Sequence, residues 1–378
     1  MSKSLRVPQL DGIRGLAIFM VLGWHCFAIP LLLSSSPILR NLGKIGTLFW
    51  SGVDLFFVLS GFLIGGILMD AKDSNRYFST FYIRRAFRIL PIYLICCAVY
   101  PLFRSNWQAM PWYVYATFTE NIWLRNHASR VWLMHAWSLA VEEQFYLTLP
   151  VLIWLLPRKH IWKFACFAIL ASFLFRSFLY LRFYPDWVLA AYMFLPCRAD
   201  SLLFGVLAAA LVRIPAALLY LQSHTRNLVE AAIVTGAPVA VFSIKAVGPM
   251  STVMATIGYS MIAACYCCVL LLAVTSAGVV KRFFLKAWLR WLGSISYALY
   301  LIHLSLLIPA FHILRHHGLV INGVADLLPV AVTLFLSFAI AQLSWTYFES
   351  PLVQIGHRYT YSSMADTKVI AKVEPASA

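Results

Sequence analysis

Ten continuous apolar stretches constrain this chain more than any other feature, because each approaches the about 20 residues that a helix needs to cross a bilayer. They run over 12–33, 46–69, 88–104, 137–156, 161–181, 189–212, 227–246, 251–274, 291–314 and 326–348. In lipid every backbone polar group must be bonded within the protein, so a spanning segment is a helix or a strand of a closed barrel. Barrel strands alternate apolar and polar residues. These runs do not alternate, so the expected fold is an all-α integral membrane protein of about ten transmembrane helices. Composition agrees: 62% of the residues are hydrophobic and 12% are charged, against about 25% charged in soluble domains.

The net charge of +16 reads as a topology signal. With the N-terminus placed inside, 19 Lys and Arg residues fall in cytoplasmic segments and 8 in outer ones. That asymmetry predicts both termini in the cytoplasm. It also argues against a nucleic-acid partner, since no aromatic-basic pattern accompanies the charge. Residues 1–351 are expected to form one membrane domain, followed by a polar, disordered cytoplasmic tail over 352–378. The N-terminal run is too long for a cleaved signal peptide. The eight cysteines lie in or beside apolar helices without metal-ligand spacing, so buried, inert thiols and no metal are expected. No internal repeat is visible.

Polar side chains inside apolar segments are costly and therefore informative. Arg14 and His25 are eleven residues apart, almost three helical turns, and share a face about 16 Å apart along the axis. Asp54 enters the second segment at a depth similar to that of His25; alternatively it pins helix packing. Glu142 and Glu143 open the fourth segment, and neighbours about 100° apart cannot both face one cavity. Arg84 and Arg88 share a helix face and suit phosphate groups, with Arg85 turned elsewhere. They are equally compatible with a plain positive-inside anchor. Late in the chain, His303 and Tyr300 occupy one face of the ninth segment. Glu349-Ser350-Pro351 is expected to end the last helix, since the residue before proline resists the helical region. Arg198 and Asp200 are two residues apart and do not face each other.

Two readings compete. A multi-helix transporter of a small solute or acyl group also keeps charges in the membrane, but it needs paired helix breaks in two halves, which are not seen. An enzyme needs a base, an orienting acid and a separate charge for its donor. His25 with Asp54 or Glu142 meets the first two needs. Arg84 and Arg88 meet the third, for a nucleotide-phosphate donor from the cytoplasm.

The ordered set Asp11-Gly12-Ile13-Arg14-Gly15 with His25, Phe56 to Gly61, Arg84 to Arg88, Trp137 to Leu139 with Glu142 to Tyr146, and Ser296 to His303 resembles the acyltransferase-3 family. The resemblance runs from about residue 8 to 351. It implies a ten-helix domain in the cytoplasmic (inner) membrane that moves an acyl group, usually acetyl, from acyl-CoA to a hydroxyl of a sugar or glycolipid. The Arg14–His25 pair and the Arg84–Arg88 pair correspond to family motifs. On this reading His25 is the general base, oriented by Asp54 or Glu142. A covalent acyl-histidine relay is the alternative. Arg14, Arg84 and Arg88 bind the donor, and Glu143, Tyr300 and His303 are accessory. No cofactor is permanently bound; acyl-CoA is a co-substrate. Some members carry an extracytoplasmic domain that this chain is expected to lack, so a separate partner is expected to serve in its place, or the acceptor itself reaches the membrane.

Overall fold

The computed structural model describes residues 7–103, 107–127, 131–245 and 248–361. Among these the chain is helical, and the only strand-like feature is an isolated bridge between Gln108 and Val131. Among the described residues eight helical segments combine the length and apolar content needed to cross a membrane. The principal helices are α1 (Pro8–Gly23), α2 (Pro37–Ile45), α3 (Gly52–Ala71), α4 (Tyr77–Ala98), α5 (Trp137–Leu155) and α6 (Ile161–Arg182). They are followed by α7 (Leu195–Leu211), α8 (Thr225–Ile244), α9 (Tyr259–Thr275), α10 (Ala287–Arg315), α11 (Leu327–Ser344) and α12 (Ser350–His357). Helices α5 and α8, 19 and 20 residues long, cover the other two apolar stretches and fall outside the eight. In α5 the run Glu142-Glu143-Gln144 dilutes the apolar content.

Each helix is sorted by face. On α6, Phe167, Leu170, Leu174 and Phe178 recur every three or four residues and are all exposed, the pattern of a lipid-facing stripe. Ala165, Ser172, Arg176 and Leu179 occupy the opposite, buried face. Cys166 lies beside the outer stripe and is exposed, in contrast to the buried setting expected for the thiols.

Two crossings set the framework. Helix α1 packs along α10, and α3 packs along α7. At the first, a Cβ on Gly15 would overlap the Leu289 carbonyl, and one on Gly293 would overlap that of Asp11. At the second, Gly61 meets the Leu202 backbone and Gly205 that of Val58. Without a hydrophobic drive between helices in lipid, such close backbone contact supplies the dispersion that holds them.

Three local features depart from simple helical reading. The first helix widens into a π-helical turn at Trp24–Ala28, where the Ile29 N–H reaches the Trp24 carbonyl, and then continues to Leu32. Pro30 lacks an N–H, and the wider turn before it absorbs the break. Helix α4 begins at Tyr77, so Arg84, Arg85 and Arg88 lie inside it and not at its mouth. Arginine is a good helix former, and the helix outlasts its apolar run. The last helix does not end at Pro351. A π-helical turn at Trp345–Glu349 leads into α12, where Pro351 sits in the first turn and needs no N–H partner. Of the expected tail, 352–357 is therefore helical, and 362–378 lie outside the described residues.

Candidate active site

The π-helical turn carries His25 toward α10. Its Nδ1 lies 3.1 Å from Nε2 of His303, with the ring centroids 5.1 Å apart. His303 is fully buried, and its Nδ1 donates to the backbone carbonyls of Tyr300 (2.7 Å) and Leu299 (3.0 Å). Carbonyls only accept, so in a neutral ring the His303 proton is on Nδ1 and Nε2 accepts. His25 must then donate from Nδ1. Its Nε2 keeps the lone pair and is the nitrogen left to take a proton.

A third imidazole completes the cluster. His135 packs against the His303 ring at 5.2 Å, donates Nε2–H to the Leu301 carbonyl, and leaves a buried Nδ1 with no partner. The Tyr300 hydroxyl joins α10 to the start of α5 through the His135 carbonyl (2.6 Å) and Ser138 Oγ (2.7 Å). Among the described residues no group of His, Cys, Asp or Glu, this cluster included, is arranged to hold a metal ion.

A second polar layer involves Glu142, whose Oε2 accepts from the Tyr146 hydroxyl at 2.8 Å. Tyr146 in turn shares a short hydrogen bond with Ser60 of α3. Glu142 is close enough to Arg14, Arg85 and Tyr300 to interact electrostatically with each. Glu143 lies within electrostatic reach of Glu142 and of Arg85. Its Oε1 is buried without a partner beside a cavity of about 200 Å³ lined by Arg85, Ile89, Tyr146 and Leu147.

The third layer is basic. Arg84, Arg85 and Arg88 line a cavity of about 60 Å³ together with Ile67, Phe81 and residues of α12. Arg85 borders both cavities and lies under the Tyr146 ring at 5.9 Å. The expectation that it turns elsewhere fails: Arg84, Arg85 and Arg88 all line the cavity between α4 and α12. Arg14 makes a 3.0 Å ion pair with Asp11 and also lies within electrostatic reach of Arg85 and Arg88.

With these layers in place, comparison with known proteins is direct. The family described as "Acyltransferase domain" matches residues 7–346. The chain belongs to this acyltransferase family. The peptidoglycan O-acetyltransferase OatA of Listeria monocytogenes is 29% identical over 170 residues, 38% of this chain and 24% of that protein. The O-acetyltransferase OatA of Staphylococcus aureus is 24% identical over 383 residues, 93% of this chain and 58% of that protein. This chain therefore spans less than two thirds of either relative. No solved structure matches it. Family membership disfavours the transporter reading.

In this acyltransferase Asp54 is not placed beside His25. It pairs with Arg198 and accepts from Ser201 Oγ at 3.1 Å, tying α3 to α7 in a fully buried lock. A buried carboxylate is drawn to a buried guanidinium, and α7 brings one to the same depth. Arg198 also lies 4.1 Å from the Tyr259 ring centroid. A second buried pair, Arg176–Asp200 at 2.7 Å, joins α6 to α7, with Ser260 donating to Asp200. Sequence reasoning gave no role to His135, Ser138, Ser60 or Arg176. Arg176 and His135 are polar residues in or beside apolar runs, and they bond to residues of other helices, Arg176 to Asp200 and the Ala255 carbonyl and His135 to the Leu301 carbonyl.

Proposed function

We propose that this multi-pass membrane acyltransferase moves an acyl group, acetyl by family default, from acyl-CoA to a hydroxyl of a sugar or glycan acceptor. The observation that carries the reading is His25 Nδ1 held 3.1 Å from His303 Nε2, in a histidine cluster within a membrane helix and paired with an arginine-lined cavity at the other end of α1. Nε2 draws the proton from the acceptor hydroxyl as its oxygen attacks the thioester carbonyl. The C–O bond forms, the C–S bond breaks, and the proton passes to the departing thiolate. His303 orients the base, in place of the expected carboxylate. Glu142, with Tyr146 and Ser60, forms the polar wall between His25 and the donor cavity, and Glu143 faces that cavity's neighbour. Tyr300 holds the cluster together. Arg14, about 16 Å from His25 along the helix, lies on the donor's path, and Arg84, Arg85 and Arg88 surround its phosphates. Asp54 acts on helix packing.

The same reading places ten helices across the cytoplasmic membrane with both termini inside, so that donor and arginines meet on the cytoplasmic side. The acceptor class follows the names of the relatives, one of which is a peptidoglycan O-acetyltransferase. The test is acetyl transfer by purified protein in nanodiscs, from labelled acetyl-CoA to a cell-wall oligosaccharide. His25→Ala and His25→Gln should each lower turnover at least about a hundredfold, the lower range for losing a general base. Wild-type turnover in both variants would sink the assignment. Transfer from an acetyl donor of other chemistry, but not from acetyl-CoA, would remove CoA and leave the transferase.

A further inference from the structure

The segment after α11 does not hang free. Helix α12 packs on α4, with Gly356 against Phe87 and the Arg84 backbone. Beyond it the chain forms a strap across the arginines. Arg84 donates from Nε to the Tyr359 carbonyl (2.8 Å) and from Nη2 toward that of His357 (3.5 Å). Its guanidinium also lies over the Tyr361 ring at 5.1 Å. Tyr359 stacks on Phe87, and Thr80 Oγ1 donates to the Thr360 carbonyl. Two of the five N–H donors of Arg84 are thus turned to the strap.

The remaining groups of this cavity are not engaged. Among the described residues Arg85 and Arg88 make no hydrogen bond and no close ion pair, although Glu142 and Glu143 lie within electrostatic reach of Arg85 and Glu349 within that of Arg88. The Tyr361 hydroxyl is buried with none. No carboxylate lines the cavity, and its about 60 Å³ is enough for one compact anionic group. Two guanidiniums and a hydroxyl, all donors, around such a space suit a tetrahedral oxyanion.

Building on the donor reading above, we infer that residues Ser350 to Tyr361 complete a phosphate pocket in which Arg85, Arg88 and the Tyr361 hydroxyl hold the ligand, while Arg84 latches the strap. Of the two arginines that spacing alone would pair on a phosphate, only Arg88 then serves the ligand. The shared ligand chemistry is a phosphate group, carried by CoA or by an anionic lipid headgroup.

Calorimetry on the full-length protein in detergent reads this with two probes, CoA and inorganic pyrophosphate. Tyr361→Phe removes one hydroxyl and keeps the ring that Arg84 covers. Tyr361→Phe and Arg85→Ala should each weaken both probes about tenfold, as expected for one charge-assisted hydrogen bond. Melting temperatures confirm folding, and the two variants report on the same pocket independently. Unchanged binding in Tyr361→Phe, with binding lost in Arg88→Ala, overturns the strap's role and leaves the donor reading standing. Tyr361-dependent binding of pyrophosphate without binding of CoA supports the pocket and overturns CoA as donor. Displacement of pyrophosphate by phosphatidylglycerol micelles and not by CoA assigns the pocket to a headgroup. Binding of neither probe overturns both readings.

Discussion

The hydrogen bond between His25 and His303 bears on which nitrogen of His25 carries the proton. Because two backbone carbonyls hold the His303 proton on Nδ1, the neutral His303 ring can only accept from His25, and on the proposed mechanism it would orient the base as an aspartate does in serine hydrolases. Two outcomes follow at this scale. Nitrogen-15 NMR of histidine-labelled protein should show His25 in the Nδ1–H form, a measurement that needs no turnover; an Nε2–H form overturns the argument. His303→Ala should release that tautomer and lower kcat by roughly tenfold to a hundredfold, the lower part of the range for acid–base contributions. The pH–rate profile should shift as well, which loss of packing alone would not produce. The sequence marked His25, Tyr300 and His303 as polar residues within apolar runs, but it paired His25 with a carboxylate. The face-sharing argument was sound within one helix, and it has nothing to say about which helix lies opposite.

Helices, and the pairs between them, account for Asp54. Gly61 and Gly205 let α3 and α7 approach until side chains at that depth must meet, and the charge on Asp54 meets that on Arg198. Removing one member leaves an uncompensated buried charge. Asp54→Leu alone or Arg198→Met alone should therefore cost about 3–5 kcal/mol, while the double variant should recover much of that loss. Thermal unfolding in detergent checks the cycle, and acyl transfer by the double variant separates the roles. Restored stability with transfer intact confirms a lock between helices. Restored stability with transfer abolished returns Asp54 to the chemistry. Element boundaries were the least legible feature. Pro351 read as a break, yet a π-helical turn ahead of it, like the one ahead of Pro30, lets the helix continue.

At the scale of the whole molecule the proposed topology makes its own prediction. Single cysteines introduced beside Arg84 and near Arg40, in a cysteine-free background, should label from opposite sides of oriented membrane vesicles, with the Arg84 side cytoplasmic. Labelling of both from one side rejects the proposed orientation. The membrane class and the helical architecture were written in the sequence, because lipid leaves an apolar run of spanning length almost no alternative to a helix. The apolar background also exposed the residues worth attention, since each polar side chain there carries a cost that must be offset. Tertiary structure alone decided who meets whom. His25 and His303 are 278 residues apart, and Asp54 and Arg198 are 144 apart. Local periodicity sets the face on which a side chain stands, but the neighbour of that face depends on how all the helices pack, which close glycine crossings and buried charge pairs settle together. The strap over Arg84 depends on the same packing: the π-helical turn leads into α12, which carries Pro351 in its first turn and packs on α4.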